Sequence, residues 1–214
     1  MTAVTLEALD LAALLCSRVC HDVISPVGAI VNGLEVLEDE KDASMRDFAL
    51  DLINKSARQA SARLQFARLA FGAAGSAGAA IDLGDAEQVA KGFISDDKTA
   101  LFWSAPRALL PKNKVKLLLN LLLVGMAAIP RGGSLDTSVS LDGDNASFLI
   151  KAKGTNARIP AHAEGLIAGR SENGTVDAHG IQPFYTGLVA KAAGMAISFA
   201  IEGDQVTISA LPQN

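Results

Sequence analysis

Apolar residues repeat with a heptad rhythm through the first third of this 214-residue chain, and that rhythm leaves few possible folds. Two stretches, about residues 6–37 and 45–71, carry the pattern at alternating spacings of three and four. The members are Cys16, Cys20, Val23, Val27, Ile30, Leu34 and Leu37 in the first stretch, and Leu50, Ile53, Ala57, Ala60, Leu64, Ala67 and Phe71 in the second. Such spacing is typical of helices that pack along one seam. The polar segment between the stretches predicts a short turn, with Asp42 or Ser44 capping the second helix.

Two long helices joined by a short turn form an antiparallel hairpin. Each helix of a lone hairpin buries one stripe, and a seam with this much alanine is marginal by itself. Two hairpins in a symmetric dimer bury the whole seam as a four-helix bundle. We therefore predict a homodimer. The alternative is a hairpin that packs on the C-terminal half of its own chain.

The pattern changes after a segment of glycine, alanine and serine at residues 72–80, which predicts a domain boundary. We place the helical domain at residues 1–75 and a second domain at residues 76–214. In the second domain we predict helices at 112–129, 161–168 and 180–193, and strands at 99–105, 135–142, 146–153, 195–202 and 205–211. This mixture indicates an α+β fold, a mixed sheet covered on one face by helices.

Charge and composition exclude several classes of function. The chain has 19 basic and 23 acidic residues and a net charge of −4, which disfavours nucleic-acid binding because phosphates need a basic surface. Cys16 and Cys20 lie four apart on one predicted helix, where a disulfide would constrain little, so we expect free thiols. With His21 they supply too few ligands for a metal site. The N-terminal segment lacks the early Lys or Arg of a signal peptide, and the apolar run at 117–129 is too short to span a bilayer. We therefore expect a cytoplasmic protein.

One of the three histidines stands out as a candidate for chemistry near neutral pH. His21 follows the seam residue Cys20, so it points to solvent about 100° away from the seam. Pro26 lies inside the same predicted helix and removes the N–H that the carbonyl of Asp22 would accept. A kink or a loosened turn is therefore expected directly beneath His21, and such departures from ordinary helix sequence tend to mark functional sites.

The segment His21-Asp22-Val23-Ile24-Ser25-Pro26 resembles the phosphoacceptor box of sensor histidine kinases. Lys116–Gly133 resembles a helix of their ATP-binding domain, and residues 148–160 and 187–189 lie where the later sequence boxes of that domain stand. The resemblance implies a dimerisation and phosphotransfer hairpin followed by a sandwich of the kinase ATP-binding type.

Departures from the kinase pattern decide the predicted function. Val124 stands where kinases have a magnesium-binding asparagine, whereas Asn120 matches their earlier, structural asparagine. The adenine-binding Asp-x-Gly-x-Gly is replaced by residues 152–156, and no Gly-x-Gly phosphate loop appears between Gly154 and Gly187. A chain that keeps the acceptor box without the ATP site resembles the ChpT-type histidine phosphotransferases of alphaproteobacteria, which relay phosphoryl groups between receiver domains.

This resemblance implies a group-transfer enzyme with no cofactor of its own. His21 is then the phosphoacceptor, and Mg²⁺ comes with the partner receiver domain. The implied donor is the receiver of a hybrid histidine kinase, and the implied acceptors are response regulators of the cell cycle. We predict the docking surface around His21, where the contact residues are Arg18, Ile24, Gly28, Val31, Arg58 and Arg63.

Two neighbours of His21 keep more than one interpretation. Asp22 orients the imidazole or holds its proton, or it only pairs with Arg18 four residues earlier. Ser25 hydrogen-bonds the phosphoryl group, or it only solvates the kinked turn.

Two other functions of the protein also stay open: an active histidine kinase with a divergent ATP site, and a non-catalytic regulator that docks on a kinase or receiver.

Overall fold

The computed structural model describes residues 1–72, 79–94 and 98–213. Two long helices, α1 (Ala8–Asp39) and α2 (Ala43–Ala70), form the predicted antiparallel hairpin. Asp42 is the N-cap of α2, because its carboxylate accepts the backbone N–H groups of Ser44 and Met45. The domain boundary predicted between residues 75 and 76 lies outside the described residues.

The rest of the chain forms an α+β sandwich, as predicted. Its elements, with β1 preceding α1, are β1 (Thr2–Ala3), β2 (Ala80–Asp82), α3 (Leu83–Phe93), β3 (Thr99–Ser104), β4 (Leu109–Pro111), α4 (Lys112–Ala128), β5 (Gly133–Asp142), β6 (Asn145–Lys153), α5 (Ala163–Ile167), β7 (Arg170–Ser171), α6 (Ile181–Ala192), β8 (Met195–Glu202) and β9 (Gln205–Pro212). Every predicted helix and strand is present with ends within about two residues of those observed.

The main sheet has five strands in the order β3-β5-β6-β9-β8. The strands β3 and β5 are parallel and the other pairs are antiparallel, so the sheet is mixed. Alternate side chains of each central strand are buried, among them Leu135, Phe148 and Ile208, and they pack under α4 and α6. Residues 117–125 of α4 are all buried, which explains why this helix is apolar all round.

Helix α3 and the four short strands β1, β2, β4 and β7 were not predicted from the sequence. Helix α3 carries recognisable signals: the carboxylate of Asp82 accepts the N–H of Gly84 at 2.7 Å, and Leu83, Ala86 and Ala90 form a buried stripe. Phe93 at its end stacks on Phe66 of α2 with ring centroids 4.1 Å apart. The strands have only two or three residues each, too few for a period to be visible.

The heptad seam divides into two halves in the folded chain. Within α1, Val23, Ile30 and Leu37 are half-buried toward α2, whereas Cys20, Val27 and Leu34 are exposed. Helix α2 repeats the division: Ile53, Ala60 and Ala67 are covered, and Leu50, Ala57 and Leu64 are exposed. We call these two exposed triplets, each spaced by seven residues, the open seam. One chain therefore covers about half of the apolar pattern that the sequence provides.

Helix α1 alone, among the described residues, is long and apolar enough to span a membrane. Its most apolar 18-residue window has a mean hydropathy of 1.4, and 6% of that window is buried. A single helix of this kind is weak evidence for a span, since soluble proteins contain such helices too.

Candidate functional site

His21 projects from the middle of α1 with 83% of its side chain exposed. Its Nδ1 atom lies 3.5 Å from Oδ1 of Asp22, at the outer limit of a hydrogen bond. No hydrogen bond to Nε2 occurs within the ranges that the structure describes. The ring therefore presents Nε2 to an incoming group, as the position one residue past the seam predicts.

The Asp22 side chain makes both contacts that the sequence left open. Its Oδ2 atom accepts a hydrogen bond from Nε of Arg18 at 3.0 Å, four residues earlier on α1. Its Oδ1 atom is the one that faces the His21 ring. The side chains of Arg18 and Asp22 are only partly exposed, 29% and 24% respectively. The arrangement is compatible with an orienting role and with pairing alone.

Pro26 is buried inside α1, and the carbonyl that it leaves without an intrahelical donor is satisfied from the second helix. Arg63 of α2 donates Nη1–H to the backbone oxygen of Asp22. Arg63 is thus half-buried and bonded within the chain, which differs from its predicted place among the contact residues of the docking surface. Arg58 faces solvent. In the sequence, Pro26 indicates that the Asp22 carbonyl needs a hydrogen-bond donor from outside its own helix. Only the register of the two helices identifies Arg63 as that donor.

An open surface surrounds His21. Ser25 lies one turn along and Gly28 two turns along on the same side of α1, and Ser25 is exposed. A methyl group on Gly28 would meet nothing within 4 Å. Ile24 and Val31, which flank this line, are 70% and 48% exposed. We call these five residues, His21, Ile24, Ser25, Gly28 and Val31, the acceptor face. The predicted contact residues Ile24, Gly28 and Val31 thus lie on one surface with His21.

The sandwich approaches the acceptor face from the N-terminal side of α1. A cleft of about 540 Å³ lies between α4 and the segment from residue 160 to residue 183, and Arg18 forms part of its wall. A small apolar cluster joins the two parts: Leu11, Leu14 and Leu15 pack on a core whose members are Leu166, Ile181 and Phe184. His21 therefore stands about one turn of α1 beyond the edge of this cleft.

Val124 occupies the wall of the cleft at the position where the kinase pattern has a magnesium-binding asparagine. The residue is 1% exposed, and its methyl groups offer no oxygen to a hard cation. Asn120, one turn earlier, is fully buried, and its side-chain amide donates to backbone carbonyls within the core. Gly187 lies in the middle of α6, where a Cβ atom would come within 2.0 Å of the carbonyl of Ile167. That glycine serves close packing of α5 on α6 and forms no phosphate loop.

Two other titratable groups of the cleft, Asp177 and His162, make contacts with neighbouring residues. Asp177 accepts the backbone N–H groups of Gly180 and His179, and these bonds lower the pKa of its carboxyl group. His162 precedes α5, with Nδ1 3.6 Å from a Glu172 oxygen. Throughout the described part of the chain no three His, Cys, Asp or Glu side chains are grouped as a metal site requires. Cys16 and Cys20 are exposed free thiols, as the sequence predicts.

Comparisons with known proteins agree on one family. Residues 83–205 match the family model described as the histidine phosphotransferase C-terminal domain. Over 209 residues the chain is 54% identical to the protein phosphotransferase ChpT of Brucella abortus (strain 2308), covering 97% of this chain and 98% of that protein. A solved 1.7 Å structure of a bacterial phosphotransferase is 50% identical, with a TM-score of 0.89 over 98% of this chain and 100% of that one. These two likenesses include the helical hairpin as well as the sandwich.

Proposed function

This chain belongs to the histidine phosphotransferases of phosphorelays, and we propose that His21 is the residue that carries the phosphoryl group. The observation that supports this assignment is the exposed imidazole in the middle of a long helix, one turn before the buried Pro26. His162 and His179 belong to the loops that surround the cleft. Neither has an open helical surface around it of the kind that a docking receiver domain needs.

The proposed transfer is a double displacement at phosphorus. The lone pair of the His21 Nε2 atom attacks the phosphorus of a receiver's aspartyl phosphate in line, and the N–P bond forms as the P–O bond to the aspartate breaks. The electron pair of that bond leaves with the aspartate oxygen, which becomes a carboxylate. The Nδ1 proton stays on the ring, on the side where Oδ1 of Asp22 lies. In the second half a carboxylate of another receiver attacks the phosphorus, and Nε2 is the leaving group.

Asp22 and Ser25 have supporting roles in this proposal. A carboxylate 3.5 Å from Nδ1 favours the tautomer that keeps Nε2 unprotonated and able to attack. Arg18 holds that carboxylate in place by the ion pair at 3.0 Å. Ser25, exposed one turn along from His21, offers a hydroxyl group to the oxygens of the transferred phosphoryl group.

Receiver domains are the proposed partners, and the acceptor face is the proposed docking surface. Ile24 and Val31 supply apolar contact area, and Gly28 leaves room for a close approach. The exposed guanidinium of Arg58 complements the acidic pocket around a receiver's aspartate, which speeds encounter. We propose a hybrid histidine kinase as the source of the donor receiver and cell-cycle response regulators as the acceptors.

The protein needs no nucleotide in this proposal, and Mg²⁺ enters with the receiver domain. Val124 in the cleft argues against an active kinase, since a magnesium–nucleotide site needs a hard oxygen ligand there. Incubation with labelled ATP and Mg²⁺, in the absence of any receiver, tests this directly. We expect no label on the protein, and label on His21 would establish kinase activity instead.

A second copy of the chain is the proposed occupant of the open seam. Val27 and Leu34 of α1 are 44% and 47% exposed, and Leu50 and Leu64 of α2 are 47% and 50% exposed. Their spacing by seven is complementary to an identical seam, so two hairpins close a four-helix bundle. This pairing also gives the apolar window of α1 a protein partner, and we propose a cytoplasmic homodimer.

The decisive experiment mixes the protein with a receiver domain phosphorylated on aspartate and follows phosphate that is acid-labile and base-stable, the signature of phosphohistidine. We expect rapid labelling of the wild type and none of His21→Ala. His162→Ala is the matched control, because it removes another exposed imidazole, and it should be labelled normally. Label on His21→Ala would refute the assignment.

The same experiment separates the transferase from a docking regulator. A regulator would bind the receiver equally well with and without His21 and would form no phosphohistidine. We expect instead that labelled wild-type protein, freed of the donor, passes its phosphate to a second receiver.

A further inference from the structure

The turn of α1 beneath His21 lacks one backbone hydrogen bond. In an α-helix the carbonyl of each residue accepts the N–H of the residue four positions later. Pro26 has no N–H, so the carbonyl of Asp22, the residue next to His21, has no donor in its own helix. A backbone acceptor without a partner leaves its turn poorly determined, and the cost rises with burial.

Arg63 of α2 replaces the missing donor. Its Nη1 atom donates to the Asp22 carbonyl across the hairpin, between residues 41 apart in the chain. The guanidinium is planar and carries its donors at fixed angles, so it holds an acceptor in one direction better than a flexible ammonium group does. Arg63 is half-buried between the helices, which limits its alternatives. The bond therefore ties the broken turn of α1 to the rigid part of α2.

The imidazole of His21 has little else to fix its direction. The side chain is 83% exposed, and among residues 1–72, 79–94 and 98–213 its one polar contact is with Asp22, at 3.5 Å. The orientation of an exposed side chain follows the backbone from which it projects. In this site the backbone is the turn of α1 whose Asp22 carbonyl is bonded to Arg63. Asp22 is also the residue whose side chain faces the His21 ring.

We propose that Arg63 is a positioning residue for phosphoryl transfer, acting through the Asp22 carbonyl. The inference rests on the proposed role of His21 as phosphoacceptor. In-line attack needs a near-attack geometry, and a misplacement of about 1 Å costs roughly 100-fold in rate. Arg63 therefore governs the rate of transfer within the docked complex. Arg58, exposed on the same helix, governs docking itself.

The test compares Arg63→Met with Arg58→Met in single-turnover transfer from a phosphorylated receiver, over a range of receiver concentrations. We expect Arg63→Met to lower the maximal rate constant about 10- to 100-fold with little change in the half-saturating concentration. Arg58→Met should raise the half-saturating concentration, because Arg58 contributes to docking. A purely structural Arg63 would give the wild-type rate constant in all protein that remains folded.

A Pro26→Ala background makes the test specific for the carbonyl. This substitution returns an N–H to position 26, so the helix itself can satisfy Asp22 and Arg63 becomes dispensable. We expect Arg63→Met to change the maximal rate constant less than about twofold in that background. If Arg63→Met alone fails to fold, the comparison can still be made in the Pro26→Ala protein, because there the N–H of residue 26 bonds the Asp22 carbonyl. Equal losses in both backgrounds would overturn the inference.

The experiments separate an error in the positioning role of Arg63 from an error in the proposed function. If His21→Ala still forms phosphohistidine, the proposed function is wrong. If His21→Ala is inactive and Arg63→Met transfers at the wild-type rate, the proposed function stands and Arg63 has no positioning role. Arg63→Lys supplies a further check: it keeps the charge but offers a less directed donor, and we expect a rate constant between those of wild type and Arg63→Met.

Discussion

Asn120 of α4 donates its side-chain amide to the backbone carbonyl of Ala70, the last residue of α2, at 3.0 Å. The final carbonyls of a helix have no partners within it, so Asn120 satisfies one of those acceptors. Tyr185 of α6 reaches the next carbonyl, that of Phe71, at 3.4 Å. The C-terminal end of α2 is thus held by two side chains of the sandwich. These bonds anchor the hairpin, whose first helix carries His21, to the second part of the chain.

Asn120→Leu should destabilise the protein by about 1–2 kcal/mol, because it leaves the Ala70 carbonyl without its donor. Urea unfolding at pH 7 measures the change. Asn54→Leu, at an exposed position of α2, is the matched control and should change stability by less than about 0.5 kcal/mol. An unfolding midpoint for Asn120→Leu equal to that of the wild type would show that the bond contributes nothing.

Two glycines of α1 should respond to alanine with opposite signs. A Cβ atom on Gly33 would lie 2.6 Å from Cγ1 of Ile53 and 3.3 Å from the carbonyl oxygen of Ala49, so Gly33→Ala forces the hairpin apart and costs about 1–3 kcal/mol. Gly28→Ala meets open space and gains up to about 1 kcal/mol of helix propensity. Urea unfolding of the two variants measures both changes. Destabilisation by both would mean that the acceptor face is already covered at Gly28.

The N-cap of α2 should make stability depend on acid pH. Hydrogen bonds from the Ser44 side chain and from backbone N–H groups lower the pKa of Asp42 below its ordinary value of 3.8. A carboxyl group with a depressed pKa stabilises the fold above its unfolded-state pKa, and this contribution is lost as the pH falls through the folded-state value. Asp42→Ala should therefore lower the thermal unfolding temperature at pH 7, and the difference should shrink below about pH 4.

Asp47→Ala is the control for the cap, since it removes an exposed carboxylate of the same helix beyond the capping position. A difference between wild type and Asp42→Ala that stays constant from pH 7 to pH 3 would contradict a role for the charge of the cap.

Local periodicity explains why so much of this fold was predictable. Heptad spacing defined both long helices, and a two-residue period defined the hairpin strands around Gly143 and Gly203. The exposure of His21 also followed from its position one residue past a seam member. These features depend on neighbours within about one turn or one strand, and such neighbours are visible in a sequence.

Contacts between distant segments could not be predicted in the same way. The sequence showed that Pro26 takes a donor from Asp22, but Arg63 was identified only once the register of two antiparallel helices was known. The seam was predicted as one stripe, and the structure divides it because a helix that packs on one neighbour leaves the rest of a broad stripe exposed. The role of Asn120 at the end of α2 likewise depends on tertiary contact.

The open seam should mediate dimerisation. A charge placed in an apolar interface without a partner costs several kcal/mol, so Leu34→Glu should convert a dimer of 22.1 kDa chains into monomers, as measured by sedimentation equilibrium. Ile201→Glu on β8 is the matched control: that side chain is 52% exposed, close to the 47% of Leu34, but lies outside the seam. A monomeric wild type, or a Leu34→Glu variant that stays dimeric, would contradict the proposal that a second copy of the chain covers the open seam.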